Sequence, residues 1–476
     1  MLLFLSLIPL IGALYVLFSR DLRRIVDSAI MCMLITFAVS LLIFYLFDTT
    51  FSKFQFVTGI TWNNSIVFFG VDGMSILFVL LTTYLIPLCA YTLDSIHFRK
   101  KEFIFLLLLI EFFLILVFTT LNLLLFYIFF EALLIPMFII IGVWGSRSRK
   151  IRAAYLFFLY TLAGSLFLLL SILFLLYNIQ SLDIRNLFLF KLSLPYQKIL
   201  WLAFFLSFAV KIPMVPFHIW LPEAHVEAPT SGSILLAGIL LKLGGYGFIR
   251  FSLTLFPEAS YYYTPLIYVL CFFSIIYISL ITLVQVDVKR IIAYSSIAHM
   301  NLVVLGIFSD NQSAIQSSIF LMIGHGIVSG GLFFLIGTLY SKVGSRLLYY
   351  LGGFARSMPI FTLFFFILTM ANIALPGTIN FMGEFLILQN LFRNNNTIAF
   401  LVSFSVILGA AYSLLLMSRL CFGDTALVYH NNTYKLSDLS LKDSILCISL
   451  SFFTIFFGIY PAPILNVLSN NIGFFL

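Results

Sequence analysis

The sequence predicts an all-α membrane protein with about 14 transmembrane helices, and three observations support this fold class. Hydrophobic residues make up 62% of the chain and charged residues only 9%, whereas soluble domains are about 25% charged. Apolar runs of about 20 residues, enough to cross a bilayer, recur along the whole chain. Lysine and arginine also collect in alternate connections between these runs. A bilayer accepts apolar surface on every side of a helix, which a soluble fold does not.

The predicted spans follow one another through short connections. They cover residues 2–18, 28–47, 72–94, 103–119, 121–143, 153–178, 199–221, 230–252, 262–284, 288–308, 313–338, 358–390, 397–418 and 444–466. Span seven contains Pro213 and Pro216, and span twelve contains Pro376 followed by Gly377. Proline removes a backbone donor and clashes with the preceding turn, so we expect both helices to be broken.

The basic residues predict the orientation of the chain. Outside the spans, lysine and arginine are about three times as frequent after odd-numbered spans as after even-numbered ones, so the odd loops should face the cytoplasm or mitochondrial matrix. The net charge of +8 therefore reports topology, and we expect no nucleic-acid partner. The basic run 147–152 also suits anionic membrane lipids. The apolar start, MLLFLSLIPL, is predicted to be a span rather than a transit peptide.

Motifs for cofactors are missing from the sequence. The five cysteines are scattered and form no CxxC pair, which excludes a sequence-local metal or iron–sulfur motif. No GxGxxG or P-loop pattern occurs. We therefore expect no cofactor in this chain and no metal site.

Ionisable residues in the middle of spans carry the functional prediction. Each such charge costs about 2.5–3.5 kcal/mol at the bilayer centre. Pairs of Glu and Lys that hold helices together are one interpretation; a proton path is the other, and alternating acid and base across several spans favours it. The path residues are Glu131, Lys211, Lys242, His325 and Glu384. Glu111 in span four is either a branch of the path or a hydrogen-bonded packing residue.

The two broken spans suggest how the chain is built. Broken helices at matching places in two halves mark ion sites in repeat-built transporters. We predict one membrane domain, 1–476, that contains two inverted five-helix halves, 103–252 (spans 4–8) and 262–418 (spans 9–13). A lysine beside a glutamate stays protonated and releases its proton when the partner moves away or is protonated. A histidine relays near neutral pH, so we expect the order Glu131, Lys211, Lys242, His325, Glu384, joined by waters.

The other histidines and Asp72 have supporting predictions. His218 and His225 flank the break and the inner end of span seven, and they either gate or hydrate the inner entrance or have a structural role. His299 in span ten is a candidate second relay, whereas His97 and His430 are predicted in loops. Asp72 is predicted to cap a helix.

Several segments resemble one known family over nearly the whole chain. They are GVDGMS at 70–75, LLFYIFFEALLIPMFIIIGVWGSR at 124–147, KIPMVPFHIWLPEAHVEAPTSGSILLAGILLKLGGYGFIR at 211–250, DVKRIIAYSSIAHMNLV at 287–303 and LPGTINFMGEFLIL at 375–388. The sequence resembles the chain 4 family of mitochondrial NADH:ubiquinone oxidoreductase, respiratory complex I. Residues 48–69, 179–198 and 420–443 carry little of this pattern.

The resemblance implies a proton-pumping, antiporter-like subunit of the complex I membrane arm in the mitochondrial inner membrane. It implies that Glu131 and Lys211 form a pair, that Lys242 and His325 continue the path, and that Glu384 ends it. Glu384 stands where the sister chains 2 and 5 have lysine, which favours chain 4. The implied partners are other membrane-arm subunits, especially chains 2 and 5, while FMN, iron–sulfur clusters and ubiquinone belong to partner subunits.

Two alternatives remain open from the sequence. A stand-alone cation/proton antiporter subunit of the related bacterial type would share the core of Glu and Lys residues. A haem or quinone electron carrier would instead use His218, His299 or His325, but haem ligation needs a facing pair at one depth.

Overall fold

The computed structural model describes residues 1–62, 65–96, 98–423 and 437–469. Most of this chain is helical. The helices of eight or more residues are α1 Leu2–Phe18, α2 Leu22–Tyr45, α3 Gly73–Tyr91, α4 Lys100–Thr119, α5 Leu123–Trp144, α6 Lys150–Ile179, α7a Leu194–Lys211, α7b Trp220–Glu227, α8 Thr230–Leu253, α9 Pro257–Val284, α10 Val288–Ile307, α11 Gln312–Val343, α12a Pro359–Asn372, α12b Ile379–Asn394, α13 Asn396–Cys421, α14 Leu441–Ile459 and α15 Ala462–Ser469.

The predicted spans are confirmed as helices. Within the described residues, 11 helices are long and apolar enough to cross a membrane, namely α2–α6, α8–α11, α13 and α14. The other three predicted spans are α1, which has 17 residues, and the two helices interrupted by proline. The breaks cover 212–219 between α7a and α7b and 373–378 between α12a and α12b.

Helices α8 and α11 form the centre of the bundle. Every residue in the most apolar stretch of each is buried, whereas α2, α13 and α14 bury less than a third of theirs. Side chains in the middle of α8 and α11 are therefore shielded from lipid by the surrounding helices. Lys242 and His325, which lie on these two helices, are in the core of the protein.

Short polar side chains cap the N-termini of several helices. Asp72 accepts a hydrogen bond from the Ser75 amide, and the Asp72 amide donates in return to the Ser75 hydroxyl to complete a capping box, so its predicted role as a cap of α3 is confirmed. Asn122 accepts bonds from the amides of Leu124 and Leu125 at the start of α5. These caps satisfy amides that have no partner in the first helical turn.

Loops that follow odd-numbered spans contact one another, and loops that follow even-numbered spans contact one another on the opposite side. Trp144 after span five donates to the Phe98 carbonyl after span three, and Lys342 after span eleven donates to the Asp438 carbonyl after span thirteen. On the opposite side, the Leu121 amide donates to the Phe68 carbonyl. Each span therefore crosses the bundle once. Which side faces the matrix stays a prediction.

A two-stranded hairpin was missed by the prediction from sequence. Strand β1 (Gln55–Trp62) pairs antiparallel with β2 (Ser65–Val71) in the loop after span two. The segments TGITW and SIVFF are rich in β-branched and aromatic residues and are separated only by Asn63 and Asn64, which is a sequence signal of a hairpin. His97 and His430, both predicted in loops, lie outside the described residues.

Candidate functional site: a line of buried ionisable residues

Glu131 and Lys211 lie at irregular points of their helices. Glu131 is two residues before Leu133, where α5 loses regular helical geometry, because Pro136 has no amide to bond to Ala132. Lys211 is the last residue of α7a and precedes the proline break. A cation at a helix C-terminus interacts favourably with the helix dipole.

These two residues interact electrostatically without direct contact. The charges of Glu131 and Lys211 influence each other, but the pair forms no salt bridge among those found in the described chain. The Lys211 ammonium instead lies 4.3 Å from the centroid of the Phe130 ring. The two charges of the predicted pair therefore interact across a gap and not through an ion-pair contact.

Lys242 and His325 form a direct link between the two predicted halves. The Lys242 Nζ lies 2.8 Å from His325 Nδ1 and also donates to the Ala237 carbonyl. Lys242 lies between two π-helical segments of α8, Leu236–Leu240 and Phe248–Leu253, a distortion that often occurs at functional sites. A Cβ atom on Gly244 would come within 2.6 Å of Ile212, so glycine allows α8 to pack closely against the end of α7a.

Glu384 has His299 as its direct partner. His299 Nδ1 lies 2.8 Å from Glu384 Oε1, and both side chains are almost completely buried. The rings of His299 and His325 have centroids 5.6 Å apart. His299, predicted only as a second relay, therefore lies between His325 and Glu384. We call Glu131, Lys211, Lys242, His325, His299 and Glu384 the mid-span line.

The break in span twelve places Glu384 on a separate half-helix. Ala374 and Gly377 have φ of 62° and 91°, a left-handed conformation that glycine adopts without strain. Pro376 between them ends any regular helix. A Cβ atom on Gly458 would lie 2.3 Å from the Gly377 carbonyl oxygen, so α14 packs directly against the break.

His218 and His225, both predicted near an entrance, have different surroundings. His225 is fully buried and its ring stacks on Phe333, with centroids 4.7 Å apart. His218 is half-buried beside Tyr277. His225 is thus enclosed among α7b and α11 rather than placed at an open mouth, whereas His218 retains access to the edge of the bundle.

A second group of buried charges was missed by the sequence analysis. Arg346 lies 3.0 Å from Glu227 and 2.8 Å from Asp287, and it also donates to Ser146 Oγ and the Val226 carbonyl. Burial raises the pKa of the Asp287 carboxyl, and the Arg346 guanidinium opposes this rise. We call Arg346, Glu227 and Asp287 the Arg346 cluster. In the sequence, the only sign of this cluster was the presence of acidic residues in loops that are otherwise basic.

Two further buried groups lie away from the mid-span line. Asp72 pairs with Arg250 at 2.7 Å, and Arg250 also donates to the Tyr246 hydroxyl. Burial alone would raise the pKa of Asp72, but the Arg250 charge and the Ser75 bonds lower it overall. Glu111 accepts a hydrogen bond of 2.5 Å from Thr36, which favours the packing interpretation for that residue.

Comparison with known proteins assigns a family to this arrangement. The family profile described as "NADH:quinone oxidoreductase/Mrp antiporter, TM" matches residues 120–409. The chain is 49% identical to NADH-ubiquinone oxidoreductase chain 4 of Marchantia polymorpha over 98% of its own length and 95% of the relative. It is 44% identical to NADH-quinone oxidoreductase subunit M of Rickettsia prowazekii (strain Madrid E), over 97% and 95% of the two chains.

A solved structure has the same fold. A chain in the structure described as respiratory complex I from Thermus thermophilus with bound NADH superposes with a TM-score of 0.88 at 28% identity. The similarity covers 100% of both chains. The resemblance inferred from the sequence motifs is therefore confirmed over the full length.

Proposed function

Because the chain belongs to the NADH-ubiquinone oxidoreductase chain 4 family, we propose that it is a membrane-arm subunit of respiratory complex I that translocates protons while NADH reduces ubiquinone. The observation that carries this proposal is the mid-span line, whose residues lie on helices from α5 to α12b and include the direct contacts Lys242–His325 and His299–Glu384. Buried ionisable groups inside a membrane are costly and mark ion paths.

The geometry supports distinct roles along the line. Lys211 holds a proton while Glu131 is charged and near, and it gives the proton up when that interaction weakens. Lys242 exchanges a proton with His325 along their direct contact, because lysine and imidazole can each donate or accept as their charge changes. His299 delivers it to Glu384, whose half-helix starts at the break. His225, whose ring is close enough to Lys242 for their charges to interact, would reload Lys242, and His218 in the preceding break would supply His225 from the edge of the bundle.

The rest of the machinery belongs to partner subunits in this proposal. FMN, iron–sulfur clusters and ubiquinone would be bound by other chains, and this chain would contact chains 2 and 5 in the mitochondrial inner membrane. The exposed apolar faces of α2, α13 and α14 suit such neighbours and lipid. The family name of its relatives supports the assignment.

Replacement of Lys211 tests the function. In the assembled complex, Lys211→Met should lower the protons moved per NADH oxidised by at least tenfold, since the proton carrier of α7a is lost. Lys198→Met is the matched control on the same helix, because the Lys198 ammonium lies over the Tyr262 ring, away from the line. The measurement is proton uptake by vesicles during NADH oxidation. Full pumping by the Lys211 variant would refute the proposal.

A stand-alone cation/proton antiporter is the second candidate, since the description of the family profile includes Mrp antiporters. Identity of 49% with chain 4 over almost the whole length favours complex I. Co-purification with flavin and iron–sulfur subunits distinguishes the two. A Soret band in the absorption spectrum of the subunit would instead indicate a haem carrier.

A further inference from the structure

The mid-span line is interrupted between His325 and His299. His325 Nδ1 contacts Lys242, and His299 Nδ1 contacts Glu384, each at 2.8 Å. The Nε2 atoms of both histidines are buried, and neither has a hydrogen-bond partner in the described part of the chain. The ring centroids are 5.6 Å apart, but no hydrogen bond joins the two rings in the described chain, so a proton needs an intermediate group to pass from one histidine to the other.

Asn380 lies beside this interruption. It is the second residue of α12b, and Glu384 follows four residues later, so both side chains occupy one face of the half-helix. A Cβ atom on Gly324 would lie 2.7 Å from Asn380 Oδ1. The amide is therefore packed against the backbone of α11 at the residue that precedes His325.

The Asn380 amide has no structural role that accounts for it. The side chain is fully buried, and neither Oδ1 nor Nδ2 has a hydrogen-bond partner among the residues that the structure describes. Burying such a group unpaired costs about 1–3 kcal/mol, which leucine at this position would avoid. A buried, unpaired polar group in a native protein requires an explanation.

We propose that Asn380 is a positioning residue that holds a water molecule between His325 and the His299–Glu384 pair. This inference rests on the proposed function. A buried water needs two to four polar partners, and the amide with the two Nε2 atoms supplies them. The proton leaves His325 for the water while another proton of that water moves to His299, so the water is unchanged after each transfer. The amide accepts and donates and keeps the water oriented throughout.

Two isosteric substitutions test the proposal in the assembled complex. Valine and threonine have the same shape, so Asn380→Val and Asn380→Thr leave the same space. Only threonine has a hydroxyl that binds water. Protons moved per NADH should fall at least fivefold in the valine variant and stay within twofold of the wild type in the threonine variant. Equal pumping by the two variants, at any level, would overturn the proposal.

Asn390 supplies a structural control on the same half-helix. It is buried as well, but its amide donates to the Leu386 carbonyl and accepts from Ser313 Oγ. Asn390→Val should reduce thermal stability and leave protons per NADH unchanged; a loss equal to that of Asn380→Val would mean that only the packing of α12b matters. If Lys211→Met stops pumping while Asn380→Val does not, the positioning role fails and the proposed function stands.

Discussion

The mid-span line and the Arg346 cluster contain the same kinds of residues but differ in how completely their charges are paired. Arg346 contacts two carboxylates, a hydroxyl and a carbonyl at once. Glu131 and Lys211 interact only through space, and the two histidines each leave one nitrogen without a partner in the described chain. A fully paired group holds helices together, whereas an incompletely paired one can change its charge.

The location of the two groups agrees with this difference. The Arg346 cluster joins the loops after spans five, nine and eleven to the end of α7b, so it ties the two predicted halves together on one side. The mid-span line runs through the interior, where charge is most costly. We therefore assign stability to the first group and proton transfer to the second.

The largest expected effect is on pumping when the centre of the line is removed. Lys242→Met leaves His325 without its partner on α8, and loss of a positioned proton donor typically lowers a rate by about 10²–10⁴-fold. Proton uptake by vesicles containing the complex should fall accordingly, while the melting temperature changes little. A variant that pumps normally but unfolds early would reverse our assignment of the two groups.

Arg346→Met should have the opposite profile. It removes the only side chain that forms an ion pair with both Glu227 and Asp287 in the described chain, and breaking a buried ion pair costs about 3–5 kcal/mol. The melting temperature of the complex should drop, and the fraction that stays assembled should pump the normal number of protons per NADH. Arg356→Met, at an exposed position of the same loop, is the control and should be neutral.

Asp72→Asn tests a paired group on the side of the bundle opposite the Arg346 cluster. It should lower the free energy of unfolding by about 2 kcal/mol, a moderate loss because asparagine still caps α3 and still accepts from Arg250. The pKa of Asp72 is lowered in the folded protein, so its ionised form stabilises the fold above the ordinary pKa of aspartate. This contribution is lost as the pH falls through the lowered value. The difference in the free energy of unfolding between wild type and variant, measured as a function of pH, should shrink in acid. A difference that stays constant with pH would contradict the stabilising role of the Asp72 charge.

The smallest expected effect comes from Thr36→Val. Loss of the hydrogen bond to Glu111 should destabilise the protein by about 1 kcal/mol with unchanged pumping, while Thr36→Ser, which keeps the hydroxyl, should restore stability. Thermal unfolding and proton uptake measure the two properties. A pumping defect in the valine variant would make Glu111 a branch of the proton path.

Much of the site could be predicted because its residues are conspicuous in the sequence. Glu131, Lys211, Lys242, His325 and Glu384 interrupt apolar runs, and the structure places Lys242 in contact with His325. His299 was ranked lower, because nothing local indicates that it contacts Glu384. Asn380 and Arg346 were not predicted, since a neutral amide and a loop arginine are unremarkable until their surroundings are known.

The sequence by itself determined the transmembrane spans, the two proline breaks and the presence of costly charges, because hydrophobic length and backbone chemistry act locally along the chain. Only the tertiary structure decided which charges meet. Lys242 and His325 are separated by 83 positions, and His299 and Glu384 by 85, so their contacts depend on how α8, α10, α11 and α12b pack. The same packing separates the paired Arg346 cluster from the incompletely paired mid-span line, to which we assign proton transfer.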